Sequence, residues 1–497
     1  MTKTISIIGA GMGGLAVGCY LQMNGYDTQI FEMHDKPGGL CTAWERKGYT
    51  VDGCIQWLWG SSPNNEFYKQ WEELGIVQGK QIINLDELMR IETSDGKTFS
   101  LYTNADRLEE EMKKIAPEDE AFIEEFTGAI RRFANFSMPV DKNPELYSAL
   151  DYLRLSKFAS TMHSLNKWRI TIGEMAQRFK NPTMRIIWQQ IWEPNMSALN
   201  LVMQLAPAHV KSAGYPIGGS MPIAHSIEAR YLALGGKLNY KKKVEKILVK
   251  NNRAIGVKLV DEEQKSDYVV SAADGHETIF EMLGGKFVDD KILDYYKNFP
   301  VFTPMVYVGL GVNRSFDDTP QIISGIKFEL EKPIVIGGRE NKFLMVRIHN
   351  YDSTLAPKGK TLLTSTIDSS YTYWESLRKD MTQYKQEKDR IANEIIMALD
   401  KRFPGLAKQV EMYDVATPVT YYRYTGNWQG TYEGWLPTPK TPPTFMMSKT
   451  LPGLDNFYMV GQWVMPGGGL PTGVISGRWV TQMICKKDGK KFLTIRP

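Results

Sequence analysis

Cysteine is scarce in this chain. Only Cys19, Cys41, Cys54 and Cys485 occur in 497 residues, and no two of them form a C-x-x-C pair. That spacing excludes a disulfide framework and a cysteine metal cluster, and it fits a reducing, cytoplasmic setting. No metal-ligand cluster is visible, so no metal is expected. Neither sign of charge dominates: 60 Lys and Arg stand against 56 Asp and Glu, a net +4. A balance so small for this length argues against nucleic acid as the partner. No apolar run approaches the ~20 residues that cross a bilayer. The first residues already read as a strand, which leaves no room for a signal peptide. A soluble protein is expected, or one held at a membrane surface. The length exceeds one ordinary core, so two intimately linked domains are expected.

What is present begins at once. Thr4-Ile5-Ser6-Ile7-Ile8 is a β-branched run that leads into Gly9-Ala10-Gly11-Met12-Gly13-Gly14 and a helical pattern from Leu15 to about Met23. A second β-rich run, Asp27-Thr28-Gln29-Ile30-Phe31, ends on Glu32. Strand, G-x-G-x-x-G turn, helix, strand and acid form the βαβ fingerprint of dinucleotide binding. Gly9 allows the tight turn, Gly11 the approach of a pyrophosphate, and Gly14 close packing of helix on sheet. Glu32 stands where an acid accepts a ribose hydroxyl.

Directly after the acid come Met33 and the pair Gly38-Gly39 followed by Leu40, a second close approach to the same dinucleotide. Then follow Gly48-Tyr49-Thr50-Val51-Asp52-Gly53 and Cys54-Ile55-Gln56-Trp57-Leu58-Trp59-Gly60, which read as a strand or strand pair entering the cofactor cleft. Near the other end, Phe457-Tyr458-Met459-Val460-Gly461 precedes Gln462-Trp463-Val464-Met465-Pro466-Gly467-Gly468-Gly469-Leu470-Pro471-Thr472-Gly473, with a helix expected from about Val474 to Cys485. This series resembles the FAD-dependent phytoene desaturase family, which includes carotenoid desaturases, carotenoid isomerases and retinol saturases. Leu40 departs from it, standing where relatives of this architecture carry an arginine.

The resemblance implies an α/β fold: a Rossmann-like FAD-binding domain of the two-dinucleotide-binding-domain flavoprotein type, interleaved with an α+β substrate domain. Residues 1–75, 205–290 and 445–497 are assigned to the first, and 76–204 and 291–444 to the second. The cofactor set implied is Gly9, Ala10, Gly11, Met12, Gly13, Gly14, Glu32, Met33, Gly38, Gly39, Leu40, Val244, Ala273, Gly461, Gln462, Gly469, Pro471, Thr472, Gly473 and Val474. Val244 would pass beside the adenine. The closing helix would turn its positive end toward the flavin.

Between these segments the reading is coarser. Residues 64–199 mix charge and aromatics at helical spacing and are expected to be largely helical. Leu146, Leu150, Leu153 and Phe158, with Arg154, Lys157, Lys167, Trp168 and Arg169, read as a helix face over its own core, with docking on a lipid surface as the alternative. Trp188 and Trp192 also read as core, and His34 as a surface residue. Ile223, Ile227 and Leu232 are placed on one helix, and Lys241 to Lys243 on a solvated face. Strands near 301–310, 342–348 and 361–366 would make a sheet backed by the helices of 76–200. Ile391, Ile395 and Leu399 mark an ordinary amphipathic helix, and residues 437–443 a linker back to the cofactor domain.

No second dinucleotide fingerprint, Walker loop or Ser-His-Asp set is visible, so the electron donor or acceptor stays open. The function expected from the resemblance is desaturation, saturation or isomerisation of carbon–carbon bonds in a lipophilic isoprenoid. Alternatives are a flavoprotein acting on an amine or fatty acyl chain, and a non-enzymatic prenyl-lipid escort, against which the intact motifs at both ends argue. Gln56, Trp57 and Tyr432 are candidates for the flavin face, and no general acid is nominated.

Overall fold

The β-branched run Thr4–Ile8 is buried along most of its length. It pairs in parallel with Asp27–Phe31 on one side and Tyr268–Ser271 on the other. Lys237–Asn239 and Phe457–Met459 extend this to a five-stranded parallel sheet. One sheet thus draws on the start, middle and end of the chain. These strands belong to a computed structural model that describes residues 2–134, 136, 140–442 and 447–497. Pro443 of the expected linker and the expected boundary at 444/445 lie outside the described residues.

The helix Met12–Met23 is buried everywhere except Gln22, as its sequence, apolar all round, requires. It contacts both Ser220–Ala233 and the C-terminal helix Gly469–Lys487. Glycine sets the second contact: a Cβ at Gly473 would stand 3.0 Å from the Gly13 nitrogen, and one at Gly477 2.8 Å from the Val17 nitrogen. The C-terminal helix begins at Gly469, five residues before the expected start. Pro471 falls in its first turn, where no intrahelical N–H is needed. Of the residues placed on Ser220–Ala233, Ile223 and Ile227 are buried but Leu232 is 47% exposed. Nine residues at 100° each carry position 232 to the face opposite Ile223.

A second sheet has seven strands, in the order Val410–Ala416, Met305–Val312, Thr361–Asp368, Arg339–Ile348, Ile326–Ile336, Glu87–Glu92 and Thr98–Tyr102. Its last two strands lie inside the stretch expected to be largely helical, so that expectation needs correction. Their alternation is short and interrupted by charge, which hid it. Strand alternation assigns the two faces. Val306, Val308, Leu344, Val346, Leu363 and Ile367 form one core with Trp374, Ile391, Ile395 and Leu399. The helix Met381–Arg402 therefore covers the far face, in place of the helices of 76–200. Those helices build a core of their own around Phe126, Trp168 and Trp188, joined to Leu88, Ile91 and Phe99 of the two added strands.

The lipid-or-core segment divides. Trp168 and Leu165 are fully buried, as the core reading holds. The helix Ala149–Ser156 buries no residue, and Leu150, Tyr152 and Leu153 are 67%, 62% and 68% exposed. A core face is wrong for that helix. Leu150 and Leu153, one turn apart, stand outward with Tyr152 beside exposed Arg154 and Lys157.

Candidate functional site

The first turn is a cradle built from absent side chains. Gly9 holds φ at +91°, and a Cβ on Gly14 would lie 1.9 Å from the Gly9 carbonyl oxygen. The helix that follows is entered from Gly11 with no side-chain cap and no acid in its first turn. Its orphan N–H groups are left for an anion. Glu32 accepts from the Ala10 N–H at 2.7 Å and the His34 N–H at 2.9 Å, one on each carboxylate oxygen. Each oxygen keeps a free lone pair.

Gly38 N–H donates to Ala10 O at 2.9 Å. A Cβ on Gly39 would come within 3.2 Å of the Gly11 Cα, so the second glycine pair meets the first turn. Lys242 N–H donates to Glu32 O and Lys241 N–H to His34 O, which brings the buried Val244 to the same corner. Lys241 and Lys243 are exposed, as a solvated face requires. Met33 is half-buried there. Ala273 follows Ala272, whose carbonyl oxygen lies 3.5 Å from the Cβ position of Gly9. His34 is not a plain surface residue: its ring meets Tyr424 at 5.1 Å, and its Nε2 is buried with no partner among the described residues.

The C-terminal helix repeats the design. Its N-cap is Gly468, again with no side-chain cap and no acid in the first turn. Gly461 N–H donates to Ser476 Oγ at 2.8 Å, fixing the loop to the helix. Gly473 and Val474 are buried, Pro471 and Thr472 half-buried. Gln462 donates to Asn427 Oδ1 at 3.0 Å and so is engaged with a loop of the substrate side. Two uncapped helix ends, glycine cradles at both and a strand-end acid fit a dinucleotide whose far end carries a flavin.

A cavity of about 1620 Å³ opens from this point. Leu40, Gly53, Cys54 and residues 467–472 line one part of it. The seven-stranded sheet supplies a wall: Lys327 pairs with Met345, Met345 with Thr366 and Thr366 with Tyr307, and all four reach the cavity. Gln56, Trp57 and Tyr432 all line it. Gln56 Oε1 accepts from Ser324 Oγ at 2.8 Å, Trp57 faces Trp192 at 6.4 Å, and Tyr432 faces Phe302 at 5.4 Å. Trp192 is thus cavity wall, whereas Trp188 is core as expected. Arg347, two residues from Met345, donates to Ile55 O at 2.8 Å and keeps one guanidinium nitrogen buried without a partner among the described residues.

Several groups here escaped sequence reasoning. Glu433 lines the cavity against the closing glycines: a Cβ on Gly468 would sit 2.4 Å from the Glu433 Cδ. Burial, and then the nearby Glu193 carboxylate, push its carboxyl up to about 8, while the Gly469 N–H pulls it down. Its surface is open only in part, and it lines the cavity, so shielding from bulk water is compatible with access to a ligand. Asn427 holds this loop in place. Its Nδ2 donates to Glu433 O at 3.1 Å and its Oδ1 accepts from Trp463 Nε1 at 3.0 Å. Burial pushes Asp274 up to about 7 even though it accepts from the Glu277 and Trp428 N–H groups. Only the Gly/aromatic content of residues 426–435 signalled the loop; nothing in one sequence singles out Glu433 within it.

A cofactor sheet of parallel strands, two uncapped helix N-termini over it and a deep cavity against them define a flavoprotein of the Rossmann-like type. The flavin containing amine oxidoreductase family matches residues 12–485, and the chain belongs to it. It is 25% identical over 504 residues to a chloroplastic prolycopene isomerase of an Oncidium hybrid cultivar, covering 95% of this chain and 82% of that protein. It is 23% identical over 511 residues to the lycopene-forming phytoene desaturase of Pseudescherichia vulneris, covering 98% and 100%. It is 22% identical over 530 residues to the all-trans-retinol 13,14-reductase of Danio rerio, covering 95% and 84%. Among solved structures, an oxidoreductase from Methanosarcina mazei superposes with a TM-score of 0.59 at 16% identity, covering 97% of this chain and 100% of that one. The protein is an FAD-dependent oxidoreductase.

Proposed function

We propose that this enzyme removes, adds or rearranges hydrogen at carbon–carbon double bonds of a long lipophilic isoprenoid, and that it works at a membrane surface. The observation that carries the reading is the cavity. Its volume of about 1620 Å³, shared between the flavin at the end lined by residues 467–472 and a substrate beyond it, exceeds the roughly 300–1,000 Å³ of ordinary ligand sites, and its lining is mainly apolar and aromatic. Bound FAD supplies a centre that takes or gives a hydride. The chain's own residues do the rest: Trp57, Trp192 and Met345 hold an apolar chain and exclude water, and Tyr432 flanks the loop that carries Glu433. Glu433 holds a proton on its carboxyl at neutral pH, beside the Gly467–Gly469 loop, and is the group proposed to deliver or receive it. The relatives acting on prolycopene, phytoene and retinol support the substrate class.

The test is anaerobic mixing of the FAD-loaded enzyme with isoprenoid polyenes. Bleaching of the flavin band by a substrate, or recovery of a reduced band by one, is the expected result and separates desaturation from saturation. Inertness toward every polyene, with turnover of amines or fatty acyl chains, would overturn the proposal.

A further inference from the structure

Several cations line the cavity, and Lys327 is one that a pure hydrocarbon would leave without a counter-charge. Lys327 stands on Ile326–Ile336 and reaches the cavity wall in line with Met345 and Thr366. Its Nζ donates to Gln190 O at 2.8 Å, a carbonyl in the last turn of Pro182–Ile191. That contact fixes the ammonium at the electronegative end of a helix and leaves two of its three N–H groups over.

One acid, Asp368, acts on Lys327 through space but forms no ion pair with it. Among the described residues Lys327 forms no ion pair. Asp368 is bound to Arg339 at 2.6 Å. Glu193 accepts from the Thr303 N–H at 2.7 Å and the Thr303 hydroxyl at 3.0 Å, and burial pushes its carboxyl up toward the neutral form. Burial lowers the half-buried Lys327 amine, against the opposite pull of Asp368. A charge sequestered from water is costly unless it is paired. A hydrocarbon laid along Trp192, Met203 and Met345 would cover the ammonium and offer it no acceptor. An apolar chain that ends in a carboxylate would supply one.

We propose that Lys327 is the anchor of a polar-end subsite, and that the enzyme takes an isoprenoid chain bearing a terminal carboxylate in preference to an uncharged chain of equal length. This rests on the lipophilic-cavity reading above and narrows it. Lys327 thus meets the mainly apolar cavity beside Gln190 O, on the same sheet face as Arg347.

The experiment compares two probes of one skeleton, all-trans-retinoic acid and its methyl ester, titrated into the FAD-loaded enzyme with tryptophan quenching as the readout. The acid is expected to bind at least about tenfold more tightly, equivalent to about 1.4 kcal/mol. Lys327→Met is expected to bring the acid to the ester's affinity while the ester binds as before, and Lys327→Arg to keep part of the preference. An unchanged flavin spectrum and melting temperature identify folded variants. Equal binding of acid and ester by the native enzyme, or an acid preference that survives Lys327→Met, overturns the anchor and leaves the lipophilic cavity standing. Binding of neither probe overturns both.

Discussion

Glu433 and Gly14 show how much a single residue decides here. With a carboxyl pushed up to about 8, Glu433 is protonated at neutral pH and ionises as the medium turns alkaline. Glu433→Gln is expected to keep FAD but lower turnover by about 10²–10⁴-fold, the usual worth of a positioned acid or base. It should also abolish the alkaline limb of the rate profile near pH 8. Stopped-flow turnover across about pH 6–9 checks both.

The same shift bears on stability. A carboxyl raised from 4.5 to about 8 on folding favours the folded state fully below pH 4.5, and loses that contribution as pH rises through about 8. Asp274, raised from 3.8 to about 7, acts in the same direction over a lower window. The melting temperature of the native protein should therefore fall from acid to alkaline pH across those windows. Glu433→Gln should lessen the slope above pH 4.5 and remove it between about 7 and about 8, where Asp274 no longer contributes, which calorimetry would resolve. Gly14→Ala is a different matter, because its Cβ would meet the Gly9 oxygen at 1.9 Å. Backbone must move to admit it, at a cost of about 3 kcal/mol, and loss of bound flavin absorbance is expected with it.

At the scale of elements, two pieces acquire meaning only from their neighbours. The helix Ala149–Ser156 presents Leu150, Tyr152 and Leu153 outward, next to exposed Arg154 and Lys157. Tyr152 and Leu155 of this helix also line the cavity, so its outward apolar residues adjoin the substrate space. Such a surface suits anionic lipid. The paired change Leu150→Glu and Leu153→Glu is expected to abolish flotation with vesicles containing anionic lipid, while turnover of detergent-dispersed substrate persists. Flotation unaffected by the change would remove this helix from the membrane contact.

The strand pair Ala43–Arg46 and Tyr49–Asp52 is the second such element. Its register sets Ala43 opposite Asp52, and Gly53 N–H donates to Thr42 O at 3.0 Å beyond the pair. Continued one step, the register sets Cys41 opposite Cys54, and the Cys54 thiol helps push the Cys41 thiol up. Directly opposed cross-strand cysteines are spaced for a disulfide. Diamide is expected to produce an intramolecular link, seen as loss of two hydrogens in the intact mass and abolished by Cys54→Ser.

At the scale of the whole molecule, the C-terminal helix locks the cofactor half together. Arg478 pairs with Glu73 in full burial, and Tyr20 of the first helix donates to the same carboxylate at 3.0 Å. Removing the cation would strand Glu73 without a counter-charge. Arg478→Met is expected to cost about 3–5 kcal/mol, read as a shift in the denaturation midpoint. The βαβ fingerprint, the second glycine pair and the closing Gly/Pro loop were legible because each is a local requirement. Turns with φ near +91°, or helices that meet at glycine, demand particular residues at particular spacings. The sheet edge at Glu87–Glu92 and Thr98–Tyr102 was not legible. The hairpin they form joins its sheet through a partner more than 200 positions away, as in the pairing of Arg90 with Ile326.

The sequence by itself determined that a dinucleotide is held, that segments far apart share its sheet, and that the resemblance leads to FAD. Those are consequences of backbone geometry, and backbone geometry is written in glycines, β-branched runs and an acid after a strand. Only the tertiary structure decided which side chains gather at and around the cavity. Glu433, Lys327, Arg347 and the thiols of Cys41 and Cys54 carry no local pattern. Their chemistry comes from burial and from neighbours that distant segments bring to one cavity, because a charge changes its behaviour only when water is taken away and a partner is, or is not, put in its place.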